Sequence, residues 1–255
     1  MSAAAISVLV PVRGDAPFLA QAIDSLRAQS HAHWEALLVG VDGATWPTPA
    51  DPRLRNVEAR AANAAEALAL AGSQAAGDFV CVLDCDDLLD AGAFATLLAA
   101  FEADPDAGMA YSRHVLVDAG GAVIAPGPLC ELPYSPQALL LDFMTGPLQL
   151  MRRDAHAKAG GFTMTYPDAA DYDLCLRLSE TCRIVHVPQP HYRKRVHPQS
   201  PAVVRWVEQI EDRYRAFVAA VQRRGLDARY DCALEIDSWH ILQPLRPFGG
   251  VGNWR

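Results

Sequence analysis

The stretch FVCVLDCDDLL, residues 79–89, decides the fold that we expect for this chain. Its first part, residues 79–83, is a short apolar run, which is typical of a strand buried on both faces of a parallel sheet. The acidic turn DCDD follows at once, at residues 84–87. Open α/β sheets bind their ligands outside the carboxyl ends of the strands. The stretch therefore predicts a buried strand with a ligand site at its end.

The acidic turn itself favours a metal site. Three carboxylates within four residues repel one another, and after a buried strand they need a nearby cation to remain ionised. A divalent metal with hard oxygen ligands supplies that charge and keeps positions open for two phosphates. The alternative is a solvated turn that caps a helix beginning near Leu88 or Ala91. The position after a buried strand favours the metal.

The residues that precede this stretch alternate between strand and helix patterns. Ile6–Val12 and Trp34–Val41 are apolar runs that predict two further strands. Residues 17–29 carry apolar side chains on one helical face, and a Pro-rich loop over 44–52 precedes an alanine-rich helix over 61–76. Strands that alternate with helices predict an α/β fold with a doubly wound, mostly parallel sheet and right-handed crossovers.

The second half of the chain predicts shorter elements. They are a helix over 91–102, a hairpin over 109–125, a strand over 148–151, helices over 154–159 and 171–180, a strand over 183–187 that stops at Pro188 and Pro190, and a helix over 201–224. In helix 171–180, Leu174, Cys175 and Leu178 are expected to face inward. We expect one catalytic domain over residues 1–200 and a helical C-terminal extension over 201–255 packed on the same domain.

Composition and charge argue against several classes of protein. Hydrophobic residues make up 51% and charged residues 20% of the chain, as in ordinary globular proteins. A formal charge of -8 argues against nucleic acid as a partner, because phosphate neutralisation needs a basic field. The six cysteines form no Cys-x-x-Cys pair, which favours reduced thiols in a cytoplasmic protein.

No membrane span and no signal peptide are expected. The sequence has no run of about 18 apolar residues and no basic segment ahead of an apolar N-terminal stretch. An apolar stripe from Trp206 to Val221, at helical spacing, favours a core or homodimer face. Peripheral attachment at the inner membrane face through this stripe is the alternative.

Two residues in the second half are candidates for chemistry. Asp171 could act as a carboxylate base that takes a proton from an attacking hydroxyl. Spacing alone favours helix capping instead, with Asp168 as N-cap and Asp171 against the first-turn amides. His197 lies in a basic segment, where a lone histidine is usually exposed, although neutral imidazole is also a ligand for manganese. The arginines near it could face phosphates.

Taken together, these segments resemble the family 2 glycosyltransferases, which have the GT-A nucleotide-diphospho-sugar transferase fold. Each segment alone is a weak signal, but the ordered set over residues 5–200 is specific. The resembling segments are ISVLVPVRGDAPFLAQAIDSLRAQSHAHWEALLV at 6–39, VDG at 41–43, GDFVCVLDCDDLL at 77–89, GGFTMTYPDAADYDLCLRL at 160–178 and HYRKRVHPQS at 191–200.

The resemblance implies an inverting transferase that moves a sugar from a UDP- or dTDP-linked donor to an unidentified acceptor hydroxyl, with Mn²⁺ or Mg²⁺ neutralising the leaving diphosphate. Asp171 would be the general base. Asp86 and His197 would be the metal ligands. The donor would be held by Pro11, Val12, Arg13, Asp42, Asp84, Cys85 and Asp86.

Three positions depart from the family pattern. Val41 stands before the single Asp42, where the family commonly has two acidic residues. Leu68-Ala69 stands where an Arg-Asn pair is common, and Ala170 precedes the base where an acidic residue is often found. The first two changes make an inactive nucleotide-sugar-binding scaffold the alternative function. A nucleotidyltransferase is disfavoured because PVRGD, at 11–15, has only one glycine and one arginine for a phosphate loop.

Overall fold

The computed structural model describes residues 5–47 and 50–234. The strands are β1 (Ile6–Val12), β2 (Trp34–Val41), β3 (Leu54–Ala61), β4 (Phe79–Val82), β5 (Leu88–Leu89), β6 (Ala107–Val117), β7 (Val123–Pro126), β8 (Gln149–Arg152) and β9 (Arg183–Arg195). The helices are α1 (Leu19–Arg27), α2 (Ala64–Ser73), α3 (Ala93–Ala103), α4 (Arg153–Lys158), α5 (Ala170–Thr181), α6 (Pro201–Val204) and α7 (Trp206–Arg223), with a 3-10 turn at Ala138–Leu140.

All the described strands join one sheet in the order β3-β2-β1-β4-β8-β6-β9-β5, and β7 pairs with β6 beside this path. Strands β1 to β4 are mutually parallel, and β6 and β9 run in their direction because β8 is antiparallel to both β4 and β6. Only β5, β7 and β8 oppose them. The predicted α/β class with a mostly parallel sheet is confirmed, and the carboxyl ends of six strands share one edge.

Helices cover both faces of the sheet and enclose two apolar cores. One core lies under α2, α4, α5 and α7, and the other lies under α1 and α3. Every residue of β1 is buried, as a central strand of such a sheet requires. Leu174, Cys175 and Leu178 are fully buried, so the predicted inward face of α5 is confirmed.

Strand β3 was not predicted, and it ends at the first residue of the helix expected over 61–76. The helix expected over 61–76 begins only at Ala64, and the chain before it forms a parallel strand beside β2. Asn63 accepts a hydrogen bond from the Glu66 backbone N–H at 2.9 Å, while the Glu66 carboxylate accepts one from the Ala62 N–H at 2.7 Å. This pair resembles a capping box, except that the Glu66 carboxylate reaches the N–H before the N-cap, and it starts the helix with two residues between strand and helix. The helix then ends at Ser73, three residues before the predicted end at residue 76.

Strand β9 continues past the prolines that were expected to end it. Its register with β6 shifts between Val187 and Pro190, and pairing then resumes through Arg195. Proline has no backbone N–H to donate to the neighbouring strand, and a β-bulge accommodates such a residue. Pro188 and Pro190 therefore interrupt the pairing without ending the strand.

The helix expected over 201–224 is divided at Arg205 into α6 and α7. Helix α7 packs on the core through Ala216, Ala220 and Val221. The rest of the expected extension, residues 235–255, lies outside the described residues. Among the residues that the structure describes, no helix has the length and apolar character needed to cross a membrane.

Candidate active site

The site lies at the edge where parallel strands end. Arg13 follows β1, Asp42 follows β2, the acidic turn 84–87 follows β4, and His197 follows β9. Asp171 is in the first turn of α5, and its carboxylate is close enough to raise the pKa of Asp84 by repulsion. The fold thus brings residues from five separate segments to one edge of the sheet.

Asp87 is the structural member of the acidic turn. It is 2% exposed, and it accepts hydrogen bonds from the Tyr192 hydroxyl and the Arg195 backbone N–H, both at 2.7 Å. Burial raises the pKa of Asp87 well above its ordinary value, and repulsion by Asp84 and Asp86 adds to the rise. Since both of its oxygens already have donors, Asp87 fixes the turn to β9 and is poorly suited to hold a metal.

Asp86 and His197 meet across the site. Nε2 of His197 lies 2.9 Å from Oδ2 of Asp86, and both side chains are about 15% exposed. The His197 backbone N–H donates to Ser200 Oγ at 3.0 Å, and the Phe18 ring packs 5.5 Å from the imidazole. His197 is therefore held in the site, and the interpretation of it as an exposed loop histidine is wrong.

Asp84 is the second carboxylate that faces the site. Carboxylate oxygens of Asp84, Asp86 and Asp87 lie within 4.8 Å of one another. Burial raises the pKa of Asp84, to which the charges of Asp86 and Asp171 add, while Arg13 and Lys194 oppose the rise. A carboxylate with a raised pKa in such a cluster needs an additional cation to be fully ionised. Two oxygen donors beside an imidazole nitrogen suit Mn²⁺ or Mg²⁺.

Arg13 supplies positive charge next to these carboxylates. Its Nη2 lies 3.4 Å from Asp84 Oδ1 and 3.9 Å from Asp86 Oδ1. Burial lowers the pKa of Arg13, but the charges of Asp84 and Asp86 raise it by more, so the guanidinium stays protonated. Lys194 is a further cation at the site, because it lowers the pKa of both Asp84 and Asp87.

The arginines near His197 have structural partners. Arg195 is 1% exposed, donates from Nε to the Asp86 carbonyl oxygen at 2.8 Å, and stacks over the Phe18 ring at 4.2 Å. Arg193 pairs with Asp90 at 2.7 Å. The expectation that these arginines face phosphates is corrected: they fix the acidic segment to β9. Tyr192, Arg195 and Lys194 were not predicted as individual site residues, because only the basic character of their segment is visible in the sequence.

Asp171 makes a local hydrogen bond while its carboxylate remains accessible to solvent. Its side chain is exposed, and its Oδ1 accepts a hydrogen bond from the Tyr172 N–H at 2.8 Å. This agrees with a role at the first-turn amides. The N-cap predicted at Asp168 is wrong, because the helix has Ala169 at that position with no side-chain cap. The carboxylate of Asp168 is paired with Arg205 instead.

The other predicted donor residues occupy the same edge in different ways. Pro11 and Val12 are buried within β1, so Arg13 carries the polar function of that trio. Cys85 is also buried, and burial raises the pKa of its thiol to about 11. Asp42 is exposed, in a left-handed conformation with φ of 50° directly after β2.

The residues at the departures from the family pattern are apolar or small. Val41 and Leu68 are buried, and Ala69 is half-buried on α2.

The helix-capping alternative for the acidic turn is also wrong. The chain enters β5 at Leu88, and α3 starts only at Ala93, with Gly92 as its N-cap.

Comparisons with known proteins agree with this geometry. The model of the family "Glycosyl transferase family 2" matches residues 7–160. The O-antigen biosynthesis protein RfbC of Myxococcus xanthus is 32% identical over 202 residues, which are 74% of this chain and 16% of that protein. The chain spans between 16% and 33% of the length of the curated relatives it matches.

Solved structures share the fold at low sequence identity. S. aureus TarS 1-349 in complex with UDP-GlcNAc has a TM-score of 0.67 and 16% identity, covering 94% of this chain and 70% of that one. The mannosyltransferase PcManGT from Pyrobaculum calidifontis, in complex with GDP-Man and Mn²⁺, has a TM-score of 0.63 and 19% identity, covering 86% and 64%. The expected GT-A fold is confirmed. Since the family model covers more than half of the sequence, the chain belongs to glycosyl transferase family 2.

Proposed function

We propose that this chain is an inverting glycosyltransferase that moves a sugar from a UDP- or dTDP-linked donor to an acceptor hydroxyl. The observation that carries the proposal is the contact between Asp86 and His197, 111 residues apart, with Asp171 near enough to raise the pKa of Asp84. The complexes of TarS with UDP-GlcNAc and of PcManGT with GDP-Man support a nucleotide-sugar donor.

The donor side of the proposal rests on charge. Asp86 and His197 would hold a divalent metal, Mn²⁺ or Mg²⁺, with Asp84 beside them. When bound, the metal supplies positive charge for the leaving diphosphate. Arg13 and Lys194 add cationic charge from the protein at the same place. We assign the exposed carboxylate of Asp42 to the base or ribose of the donor, because it follows the neighbouring strand at the same edge.

The acceptor side of the proposal rests on Asp171. Its exposed carboxylate would accept the proton of the attacking hydroxyl. The acceptor oxygen then bonds to the anomeric carbon as the bond from that carbon to the diphosphate oxygen breaks. One displacement inverts the anomeric configuration and releases a nucleoside diphosphate. Oδ1 of Asp171 accepts a hydrogen bond from the Tyr172 N–H, which leaves the second carboxylate oxygen of Asp171 available as a base.

An inactive nucleotide-sugar-binding scaffold is the second candidate. Leu68 is buried in the core, so α2 offers the donor no polar side chain at the position where the family commonly has an arginine. A scaffold of this kind would bind nucleoside diphosphate and metal without turnover.

A donor screen with detection of released nucleotide separates the two candidates. The full chain is incubated with UDP- and dTDP-sugars and a panel of hydroxyl acceptors, with Mn²⁺ or Mg²⁺. We expect nucleotide release that stops with EDTA and returns with added metal. Tight UDP binding without turnover of any donor would favour the scaffold.

The substitution Asp171→Asn tests the base. We expect turnover to fall by about 10²- to 10⁴-fold, while calorimetry shows unchanged donor binding. Asp106→Asn is the matched control, because Asp106 is exposed at the start of β6, on the opposite edge of the sheet. Near-normal turnover by Asp171→Asn would show that another group is the base.

A further inference from the structure

Helix α7 holds the loop that leads to Asp171. The carboxylate of Asp168 accepts hydrogen bonds from Nε and Nη2 of Arg205 at 2.7 and 2.8 Å, which together form a bidentate ion pair. The backbone N–H of Asp168 donates to Oδ2 of Asp212 at 3.0 Å. Both partners come from the residues after 200, so this loop is attached to the C-terminal part of the chain by its side chain and by its backbone.

Asp212 is the buried centre of this attachment. It is 6% exposed, and Nη1 of Arg215 donates to its other oxygen at 3.0 Å. The Arg215 guanidinium also lies over the Tyr166 ring, 5.4 Å from its centroid. Residues 166–168 are therefore fixed to α7 by an ion pair, a backbone hydrogen bond and a cation-π contact. We call this set the α7 clamp.

The start of α5 has no cap of its own. Its N-cap residue, Ala169, has no side chain that could accept a hydrogen bond from the first turn. The adjacent Asp168 could cap the helix, but its carboxylate is engaged by Arg205. Residues 205–215 therefore hold the loop that leads into the first turn, where Asp171 lies, while the burial of Ala170 and Tyr172 packs that turn on the core.

We propose that Arg205 and Asp212 are positioning residues that set the place of Asp171 relative to Asp84. This inference rests on the proposed function, in which Asp171 is the base. Catalytic groups must be held within a fraction of an ångström of their productive geometry. On this proposal, α7 is part of the catalytic unit.

The chain offers a matched control on the same two helices. Arg223 on α7 donates from Nε and Nη2 to Glu180 on α5 at 3.0 and 3.1 Å. This pair joins α7 to the far end of α5, about 15 Å along the helix axis from Ala170, the first residue of α5, at 1.5 Å per residue. Like Arg205, Arg223 makes a bidentate pair with a carboxylate, but it does not contact the loop. Glu180 also accepts a hydrogen bond from Nε of Arg224 at 3.2 Å, so it keeps one arginine partner in Arg223→Ala.

Steady-state kinetics of the full chain test the proposal. We expect Arg205→Ala to lower kcat by about 10- to 100-fold with the donor KM unchanged, and Arg205→Lys to restore part of it. Arg223→Ala should stay within about twofold of wild type, although both alanine variants lose one ion pair. Equal kcat values for the two variants would overturn the proposal.

Amide hydrogen exchange gives a readout that does not depend on activity. We expect faster exchange over 166–171 in Arg205→Ala and in Asp212→Asn than in Arg223→Ala. Unchanged exchange in both clamp variants would overturn the clamp. If wild type transfers no sugar but exchange rises as expected, the proposed function and the catalytic role of the clamp both fail. The attachment of residues 166–168 to α7 still stands in that case.

Discussion

Removal of the Tyr192 hydroxyl tests whether the acidic turn is held from β9. The hydroxyl donates to the buried carboxylate of Asp87 at 2.7 Å and accepts from the Asp84 backbone N–H at 3.3 Å. A hydrogen bond to a charged group contributes about 1.5–3 kcal/mol, and a neutral one about 0.5–1.5 kcal/mol. We therefore expect Tyr192→Phe to lower the free energy of unfolding by about 2–4 kcal/mol.

The assay is urea unfolding followed by tryptophan fluorescence, with Tyr214→Phe as control. The Tyr214 hydroxyl donates to the neutral carbonyl oxygen of Cys232 at 3.0 Å, so its loss should cost only about 0.5–1.5 kcal/mol. In thermal melts, ~3 kcal/mol corresponds to a fall of about 6–12 °C in Tm for a chain of this size. Equal losses in the two variants would refute the assignment of Asp87 as the anchor of the turn.

The pH dependence of this loss follows from the same contact. Burial is the main cause of the raised pKa of Asp87, and the hydrogen bond from Tyr192 lowers that pKa. Without the hydroxyl the folded-state pKa rises further above the unfolded value. A group of this kind loses its contribution to stability as pH rises through the folded-state pKa. The difference in stability between Tyr192→Phe and wild type should therefore grow as pH rises above the ordinary titration range of a carboxyl group.

Three further outcomes follow from individual contacts. Burial lowers the pKa of His156 to about 4, so the contribution of this residue to stability falls as pH drops below about 6.5. The expected loss of stability is ~2 kcal/mol at pH 5, and His156→Gln should remove this pH dependence in urea unfolding. Gly77→Ala places Cβ 2.8 Å from the Ala5 carbonyl oxygen and should cost about 1–3 kcal/mol in thermal melts, whereas Gly72→Ala, in α2, should stabilise by up to ~1 kcal/mol. His197→Ala should weaken Mn²⁺ binding at least about 10-fold by calorimetry.

A specific result would contradict each of these three predictions. A His156→Gln variant with the full wild-type pH dependence would place the titration elsewhere. Stability that is unchanged in Gly77→Ala would mean that the backbone there can move apart at little cost. Unaltered Mn²⁺ binding in His197→Ala would remove the imidazole from the proposed ligand set.

Periodicity predicted the central elements because these are buried on a regular repeat. Strand β1 is buried at every position, and α5 buries Leu174, Cys175 and Leu178 at helical spacing. The edge that carries the acidic turn was also predictable, because parallel strands of one sheet end together. The meeting of Asp86 with His197 came only from the family resemblance, since no local pattern relates residues 111 positions apart.

The elements that were missed depend on contacts between distant residues. Strand β3 buries only Leu54, Val57 and Ala61, which are spaced like one face of a helix and not at the period of two that predicts a strand, and it leads into an alanine-rich helix. Asp168 has the sequence context of an N-cap, but Arg205 provides a bidentate partner 37 residues later. Local propensity is a weak signal wherever a tertiary ion pair is available to the same side chain.

The geometry of the candidate site depends on the register of β9 as much as on the acidic turn. A shift of one residue turns every side chain of a strand to the opposite face. The prolines at 188 and 190 interrupt the ladder, so the register of the first half of β9 does not by itself fix the second half. The second half of β9 is held by renewed pairing with β6, by pairing with β5 and by the two hydrogen bonds to Asp87, from Tyr192 and from Arg195. Because His197 lies two residues beyond Arg195, the buried carboxylate of Asp87 helps to determine where the imidazole meets Asp86.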